Sequence, residues 1–441
     1  MRCFCYSIDR YVRISLGALA AAMLLSDPCL VPARADEVLT EAVPDPAWDA
    51  AFDRSEGWIG GDAIYSTPLP GGDVLWLFAD TYIGRVVDHR RQPGVRIVNN
   101  TLGRQARAAG GPAYAPPRRE DLSFLWDTSG GPEQPRAWIR PARAPADGPS
   151  TETAPWFWVA DALFAPGSHD SNSAPARLLV FLWRMQRTGA QVMGFRNAGC
   201  DLAIVDDPRA DWTTWQPRQL SISHGVSAAT GDAPRRVEVV WGSEVLLDPE
   251  SADEPHLLIY GYRQPLQGSM EMVLARAPSA KVEQMDTWQF RTASGWMPQL
   301  DDAVALADRM TTEFSISAVE TADGPRYAMV QCEPLLGDHI LTRTSATPFG
   351  PWSAPKAVYQ VPDLDRAKKH ITYAAKAHPE VSRPGELLVS YVVNSLDFGE
   401  SATNAEIYRP RFVRVPVSRL PRAPALPQAP VMPRAAVPSG E

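Results

Sequence analysis

Five times along this 441-residue chain a charged residue opens a short strand-like stretch that runs through a turn into a second, almost wholly apolar one. The openings are GDAIY at Asp62, ADALF at Asp161, SEVLL at Glu244, TEFSI at Glu313 and AKAHP at Lys376, spaced 99, 83, 69 and 63 residues apart. The apolar strands begin at Val74, Leu178, Leu257, Tyr327 and Leu387, and third strands follow from Ile97, Asp201, Met272, Ile340 and Phe412. Segments bearing Trp138, Trp212 with Trp215, Trp288 and Trp352 close four of the units. A four-strand unit repeated at such intervals is the mark of radial repeat architectures, in which each sheet is covered on both faces by its neighbours. That covering explains why the second strands read as continuous apolar runs. The expectation is an all-β fold, a five-bladed β-propeller with long surface loops over residues 49–417. A doubly wound α/β fold is excluded because helical periodicity is confined to Leu300–Met310, which reads as a short loop helix.

The ends of the chain have a different composition. Arg2, Arg10 and Arg13 precede the apolar run Ile14–Leu25, and Ala33-Arg34-Ala35 offers a small-x-small cleavage site, so residues 1–35 read as a signal peptide. The run is too short to span a bilayer. The mature protein is expected to be secreted or periplasmic, without a membrane span. Residues 36–48 read as a surface arm and 418–441, rich in Pro and Ala, as a flexible tail. Arg104–Pro135 and Pro141–Pro155 read as surface loops. Cys200 and Cys332 are too few for a disulfide framework and read as buried thiols. A net charge of −8, more negative once the basic leader is removed, argues against a nucleic-acid partner.

The chemistry concentrates in the first unit, WIGGDAIYSTPLPGGDVLWLFADTYIG from Trp58 to Gly84. Two strands flank Pro70-Gly71-Gly72. If the loop is those three residues, Leu69 pairs with Asp73 and Asp62 stands directly opposite Asp80. A two-residue loop would set Asp80 opposite Ala63 and split the acids between faces. Opposed Cβ atoms lie about 4.5–5.5 Å apart, so two carboxyls there repel and one is pushed toward its neutral form. Such a pair serves acid/base or nucleophile/acid chemistry. The first strands of a propeller line its channel, so Asp161, Glu244 and Glu313 are expected there as auxiliary or alternative acids, with Lys376 as their internal partner. His378 shares the Lys376 face and is a candidate substrate contact. Trp58, Trp156, Trp158 and Trp241 precede marker acids and can offer flat rings to a sugar, with Trp58, Trp158 and Trp241 chosen as binding residues. Asn99-Asn100-Thr101 matches a glycosylation acceptor. No cofactor is expected, and the channel acids leave room for a structural cation, such as calcium.

The run from Trp58 to Thr81, followed by VNNTL, resembles the signature of a secreted bacterial five-bladed propeller family long known only as a domain of unknown function. Some of its members are endo-acting D-arabinofuranosidases. The resemblance implies that Asp62 and Asp80 are catalytic; Ala63 and Ala79 stand where relatives more often carry Gly. The architecture is also similar to arabinanase, β-xylosidase and invertase-type hydrolases, which imply an aspartate base, a pKa-tuning aspartate and a glutamate acid at Asp62, Asp161 and Glu244. The two resemblances agree on Asp62 and differ on its partner, for which Asp80 is taken over Glu244. The expected function is a secreted glycoside hydrolase acting on a furanose-containing, arabinan-like polysaccharide, monomeric and retaining. The alternative is a non-catalytic carbohydrate-binding propeller, to which two opposed acids bring nothing.

Overall fold

The computed structural model describes residues 42–107, 112–142, 154–165, 176–189, 194–222, 225–228, 235–251, 254–265, 267–362 and 364–423. Residues 1–35, read above as a signal peptide, and most of the stretch read as a tail lie outside the described residues, as do parts of the loops in 104–135 and 141–155. Among the described residues the fold is nearly all β, with two short α-helices, Pro46–Phe52 and Phe398–Thr403. No described helix is long and apolar enough to cross a membrane.

Five antiparallel meanders account for most of the strands. The first sheet is Tyr65–Pro68, Val74–Phe78, Thr101–Gln105 and Leu122–Leu125. The second is Trp156–Ala165, Arg177–Arg187, Phe195–Val205 and Arg218–Ile222. The third begins Arg235–Leu247, His256–Arg263, Glu271–Pro278 and Gln289–Thr292 and gains short edge strands. The fourth is Phe314–Thr321, Gly324–Cys332, His339–Ser345 and Lys356–Gln360. The fifth takes three strands from the end of the chain, His370–Ala377, Glu386–Ser395 and Pro410–Pro416, and its fourth, Val43–Pro44, from the beginning. A small extra sheet of Glu56–Gly61, Thr81–Val87, Arg90–Arg91 and Arg96–Val98 stands beside the first.

The apolar second strands are buried because the sheets share cores. Leu75, Leu77, Leu179, Phe181, Val245 and Ile259 join the first three sheets, Leu258, Tyr260, Ile316 and Met329 the third to the fourth, and Val330, Ile340, Val389 and Val413 the fourth to the fifth. Trp76, Phe78, Leu388, Val392 and Phe412, with Trp48 and Phe52 of the first helix, join the fifth back to the first. Burying one such side chain contributes about 1.5–3 kcal/mol, so this last cluster ties the chain's two ends by apolar contact as well as by strand pairing.

Three expectations are corrected here. Residues 43–52 are a strand and a helix packed on the fifth sheet, not a loose arm, because the fifth unit lacks a fourth strand of its own. The fourth strand of the first sheet is Leu122–Leu125, inside a stretch read as loop, and not the Trp138 segment. Leu300–Met310 forms one 3-10 turn, Leu300–Asp302, and a two-residue strand, Ala307–Asp308. At the C-terminal end the chain stays docked past Val417, with the Arg419 and Pro421 carbonyls accepting from Lys356 and Thr344. Cys200 and Cys332 are buried free thiols.

Candidate active site

The Pro70-Gly71-Gly72 loop sets the register of the first hairpin. Gly71 and Gly72 take φ of 97° and 93°, which only glycine adopts without strain, and the Leu69 amide donates to the Asp73 carbonyl at 2.8 Å. Tyr65 then pairs with Leu77 and Pro68 with Val74. Carried outward, this register sets Asp62 opposite Asp80, as the three-residue loop requires. The Asp62 amide donates to the Asp80 carbonyl at 3.2 Å and the Ala79 amide to the Asp62 carbonyl at 3.1 Å. Two residues of one strand thus face one of the other, the pattern of a β-bulge, which re-aims side chains at sheet edges and active sites.

The strand beginning at Tyr65 starts three residues later than expected, because the backbone turns sharply after Asp62. Ala63 and Ile64 have φ of 68° and 55°, and the Ile64 amide closes a three-residue turn onto the Asp62 carbonyl at 3.0 Å. Positive φ at a β-branched residue is strained and persists only where surrounding contacts hold it. Lys376 supplies one such contact: its Nζ donates to the Ala63 carbonyl, bonds Glu313 Oε1 at 2.8 Å and lies 4.2 Å from the centre of the Tyr65 ring.

The two carboxyls have unlike settings. Asp62 Oδ2 accepts from the hydroxyls of Tyr373 at 2.8 Å and Tyr408 at 2.9 Å, while Oδ1, though buried, has no partner among the described residues. Burial, followed by the charges of Asp80 and Glu313, holds the Asp62 carboxyl well above the ordinary carboxylate range, against the pull of the two tyrosines. Asp80 accepts both its bonds on Oδ1, from Asn99 Nδ2 at 3.0 Å and Trp158 Nε1 at 2.8 Å. Burial raises its pKa to about 6, opposed by those two bonds and by the charge of Arg187. Both carboxyls are thus held above the ordinary range, Asp62 the more strongly toward its neutral form, the kind of division acid/base catalysis needs.

Tyr373 and Tyr408 escaped the sequence reading, although the repeat carries a signal for Tyr373. It stands three residues before Lys376, where Trp158 and Trp241 stand three residues before Asp161 and Glu244, and bulges in the strands turn the markers at these positions. Tyr408 has no counterpart in the repeat. Its φ of 62° and the amide bond to the Val393 carbonyl at 2.7 Å bring its ring over from the fifth sheet. Gly60 makes room for it: a Cβ there would lie 2.2 Å from the Tyr408 carbonyl oxygen. Asn99, read as the head of a glycosylation acceptor, is instead committed to Asp80.

Two of the remaining marker acids, Asp161 and Glu244, lie in a second group beyond Lys376, joined there by Glu380. Asp161, Glu244 and Glu380 line a cavity of about 110 Å³ together with Ser66, Lys376 and His378. Burial raises all three acids, Asp161 to about 8, and the Asp161 charge adds to the rise at Glu244. Asp161 Oδ2 accepts from the Val245 amide at 2.7 Å, a bond between neighbouring sheets. The charges that raise Asp62 are those of Asp80 and Glu313, whereas Asp161 and Glu244 line the cavity beyond Lys376. Among the described residues, three ligating atoms within 4.8 Å of one another occur at Glu333, Asp338 and His339, and not among the marker carboxyls.

Four chosen binding residues are corrected by burial. Trp58 is 1% exposed and stacks on Phe124 at 4.4 Å, and Trp241 is fully buried against Trp288 and Phe290. Neither offers a face to a ligand, because the strand before each marker points that ring between sheets. His378 is 1% exposed, bonded to Ser66 and, at 2.8 Å, to Ser390, and packed on Trp76. Burial, then the Lys376 charge, lowers its pKa to about 3, so it is a neutral core histidine. Lys376 is likewise buried, bracing the turn beside Asp62. Trp158 is half-buried and stands at Asp80.

The fold is similar to that of a Bacteroides ovatus ATCC 8483 protein provisionally assigned as a hydrolase, with a TM-score of 0.60 and 20% identity over 88% of this chain and 96% of that one. Weaker similarities include the catalytic domain of a GH62 α-L-arabinofuranosidase from Coprinopsis cinerea, with a TM-score of 0.40 and 10% identity over 82% of this chain and 97% of that one. Another is an α-L-arabinofuranosidase from Podospora anserina in complex with cellotriose, with a TM-score of 0.38 and 10% identity over 81% and 91% of the two chains. No curated protein matches this chain significantly. The match that spans the described strands almost end to end is to a family model covering residues 45–418, and the chain therefore belongs to the DUF5005 family, a domain of unknown function.

Proposed function

We propose that this protein is an exported glycoside hydrolase, its five sheets the blades of a propeller, which cleaves a furanose-rich, arabinan-like polysaccharide with Asp62 and Asp80. The observation that carries the reading is the pair itself: two half-buried carboxyls on facing strands, both raised above the ordinary carboxylate range, with Asp62 the more strongly held to its proton. Asp62 Oδ2 is occupied by two tyrosine hydroxyls, so the proton belongs on Oδ1, from which it passes to the glycosidic oxygen as the bond to the anomeric carbon breaks. Asp80 has Oδ2 left for attack on that carbon, giving a glycosyl ester. Asp62, now ionised, takes a proton from water, whose oxygen displaces Asp80 and releases the sugar with its configuration retained. Retaining enzymes hold their carboxyls about 5–5.5 Å apart and inverting ones about 6.5–9.5 Å. Directly opposed hairpin residues start from Cβ separations of about 4.5–5.5 Å, which supports retention. Trp158 stands where a sugar ring bonded to Asp80 would need an aromatic wall, and the apolar leader supports export.

The test is incubation of the mature protein with linear and branched arabinans, following the first product anomer by NMR. Release of oligosaccharides with retained configuration is expected. First-formed product of inverted configuration would overturn Asp80 as nucleophile, and binding without release would favour the carbohydrate-binding alternative.

A further inference from the structure

We propose that the cleft beside the Asp62–Asp80 pair, lined by Arg90, Arg91 and Arg96, is a subsite for an oxyanion substituent of the glycan, a carboxylate or a phosphate ester. The inference rests on the hydrolase reading for its ligand being a glycan, while the charge argument stands on the cleft alone. The cleft has a volume of about 690 Å³ and is walled by the small sheet and the Ala402-Thr403 segment. Three arginines line it and no carboxylate does, in a chain where Asp and Glu outnumber Lys and Arg by 51 to 43. A concave wall of one sign, opposite to the protein's own, concentrates ligands of the protein's sign.

Arg91 is the unusual member. It is 5% exposed, and its guanidinium donates to the backbone carbonyls of Ser401 and Ile407, each at 2.8 Å, and to that of Asn404. Its Nε has no partner, and among the described residues no carboxylate pairs with it. Burial lowers its pKa to about 10. A desolvated cation held by carbonyl dipoles and an aromatic face, with no counter-charge among the described residues, is an incomplete arrangement, and an arriving anion would complete it. Arg90 and Arg96 are exposed and have no ion pair among the described residues, so their planar forks are available for bidentate contact with a carboxylate or phosphate.

The cleft lies close to the reacting pair. Arg96 pairs with Ile83 and Val98 with Thr81, the residue after Asp80. Tyr82 lines the cleft under the Arg91 guanidinium, 4.2 Å from its ring centre, and packs at 5.0 Å on Tyr408, whose hydroxyl bonds Asp62. An oxyanion there would therefore sit on a sugar neighbouring the one cleaved.

The test is calorimetric titration of the mature protein with inorganic phosphate and, separately, glucuronate, at about 50 mM salt, where screening is modest. The Arg90→Gln/Arg96→Gln double variant is the control, since Arg91 anchors three carbonyls and its loss could unfold the site. At least one anion is expected to bind, with affinity falling at least about ten-fold in the double variant, the loss of a charge-assisted bond. The anion that binds identifies carboxylate or phosphate as the substituent. Failure of both anions to bind, or equal binding by the double variant, overturns the subsite. Anion binding without cleavage of any arabinan would leave the subsite standing and remove the hydrolase reading, and cleavage without anion binding would do the reverse.

Discussion

Replacing Asp80 by Asn isolates the energetic cost of the carboxylate pair. Asn keeps an Oδ1 acceptor, so the bonds from Asn99 and Trp158 survive while the charge disappears. The native pKa of Asp80 is raised from 3.8 to about 6. The folded protein thus binds more protons than the unfolded chain between these values, and stability falls as pH rises through that window. About two pKa units correspond to about 3 kcal/mol, an upper value because Asp62 titrates with Asp80 and shares the effect. Asp80→Asn should therefore resist urea by about 2–3 kcal/mol more than the parent at pH 7.5, with the advantage shrinking toward zero at about pH 3, where the parent carboxyl is largely protonated in both states. Hydrolysis should be lost at both. Equilibrium urea denaturation of parent and variant at the two pH values, with identical m-values, is the measurement. A variant less stable than the parent at pH 7.5, or an advantage independent of pH, would refute the account of a destabilising buried charge.

Tyr373→Phe and Tyr408→Phe each remove a hydroxyl that favours ionised Asp62, so each should raise the pKa of the acid further. Activity should fall about 10–100-fold, with the alkaline limb of the pH–rate profile displaced upward, as read from kcat/KM across pH. Lys376→Met leaves the partly buried Glu313 without its partner and the turn at Ala63 without its brace, and should cost up to about 3 kcal/mol, measured by urea denaturation. Gly60→Ala should displace Tyr408 and lower activity, because its Cβ would meet the Tyr408 carbonyl at 2.2 Å; a crystal structure with Tyr408 unmoved would contradict this. Truncation after residue 423 should leave Tm unchanged, whereas truncation after Pro416 removes the Arg419 and Pro421 carbonyl contacts and should lower it by a few degrees.

What the sequence determined by itself is what short-range chemistry dictates. Pro70-Gly71-Gly72 dictates a turn, the turn dictates the register, and the register sets Asp62 against Asp80, all within two dozen residues. The five markers and their apolar strands were legible for the same reason: a strand covered on both faces must be apolar along its length, and a position turned out of the sheet need not be. Tertiary structure decided which rings near the markers face a ligand. Trp58, Trp158 and Trp241 look alike in sequence, yet only Trp158 reaches the pair, because the packing of neighbouring sheets buries the other two. It also decided what completes the site and the fold. Tyr408 meets Asp62 across 346 residues and His378 meets Ser66 across 312, and Val43–Pro44 supplies the strand the last sheet lacks. No local pattern encodes such contacts, since they arise when the last sheet packs against the first and the apolar faces of both leave water together.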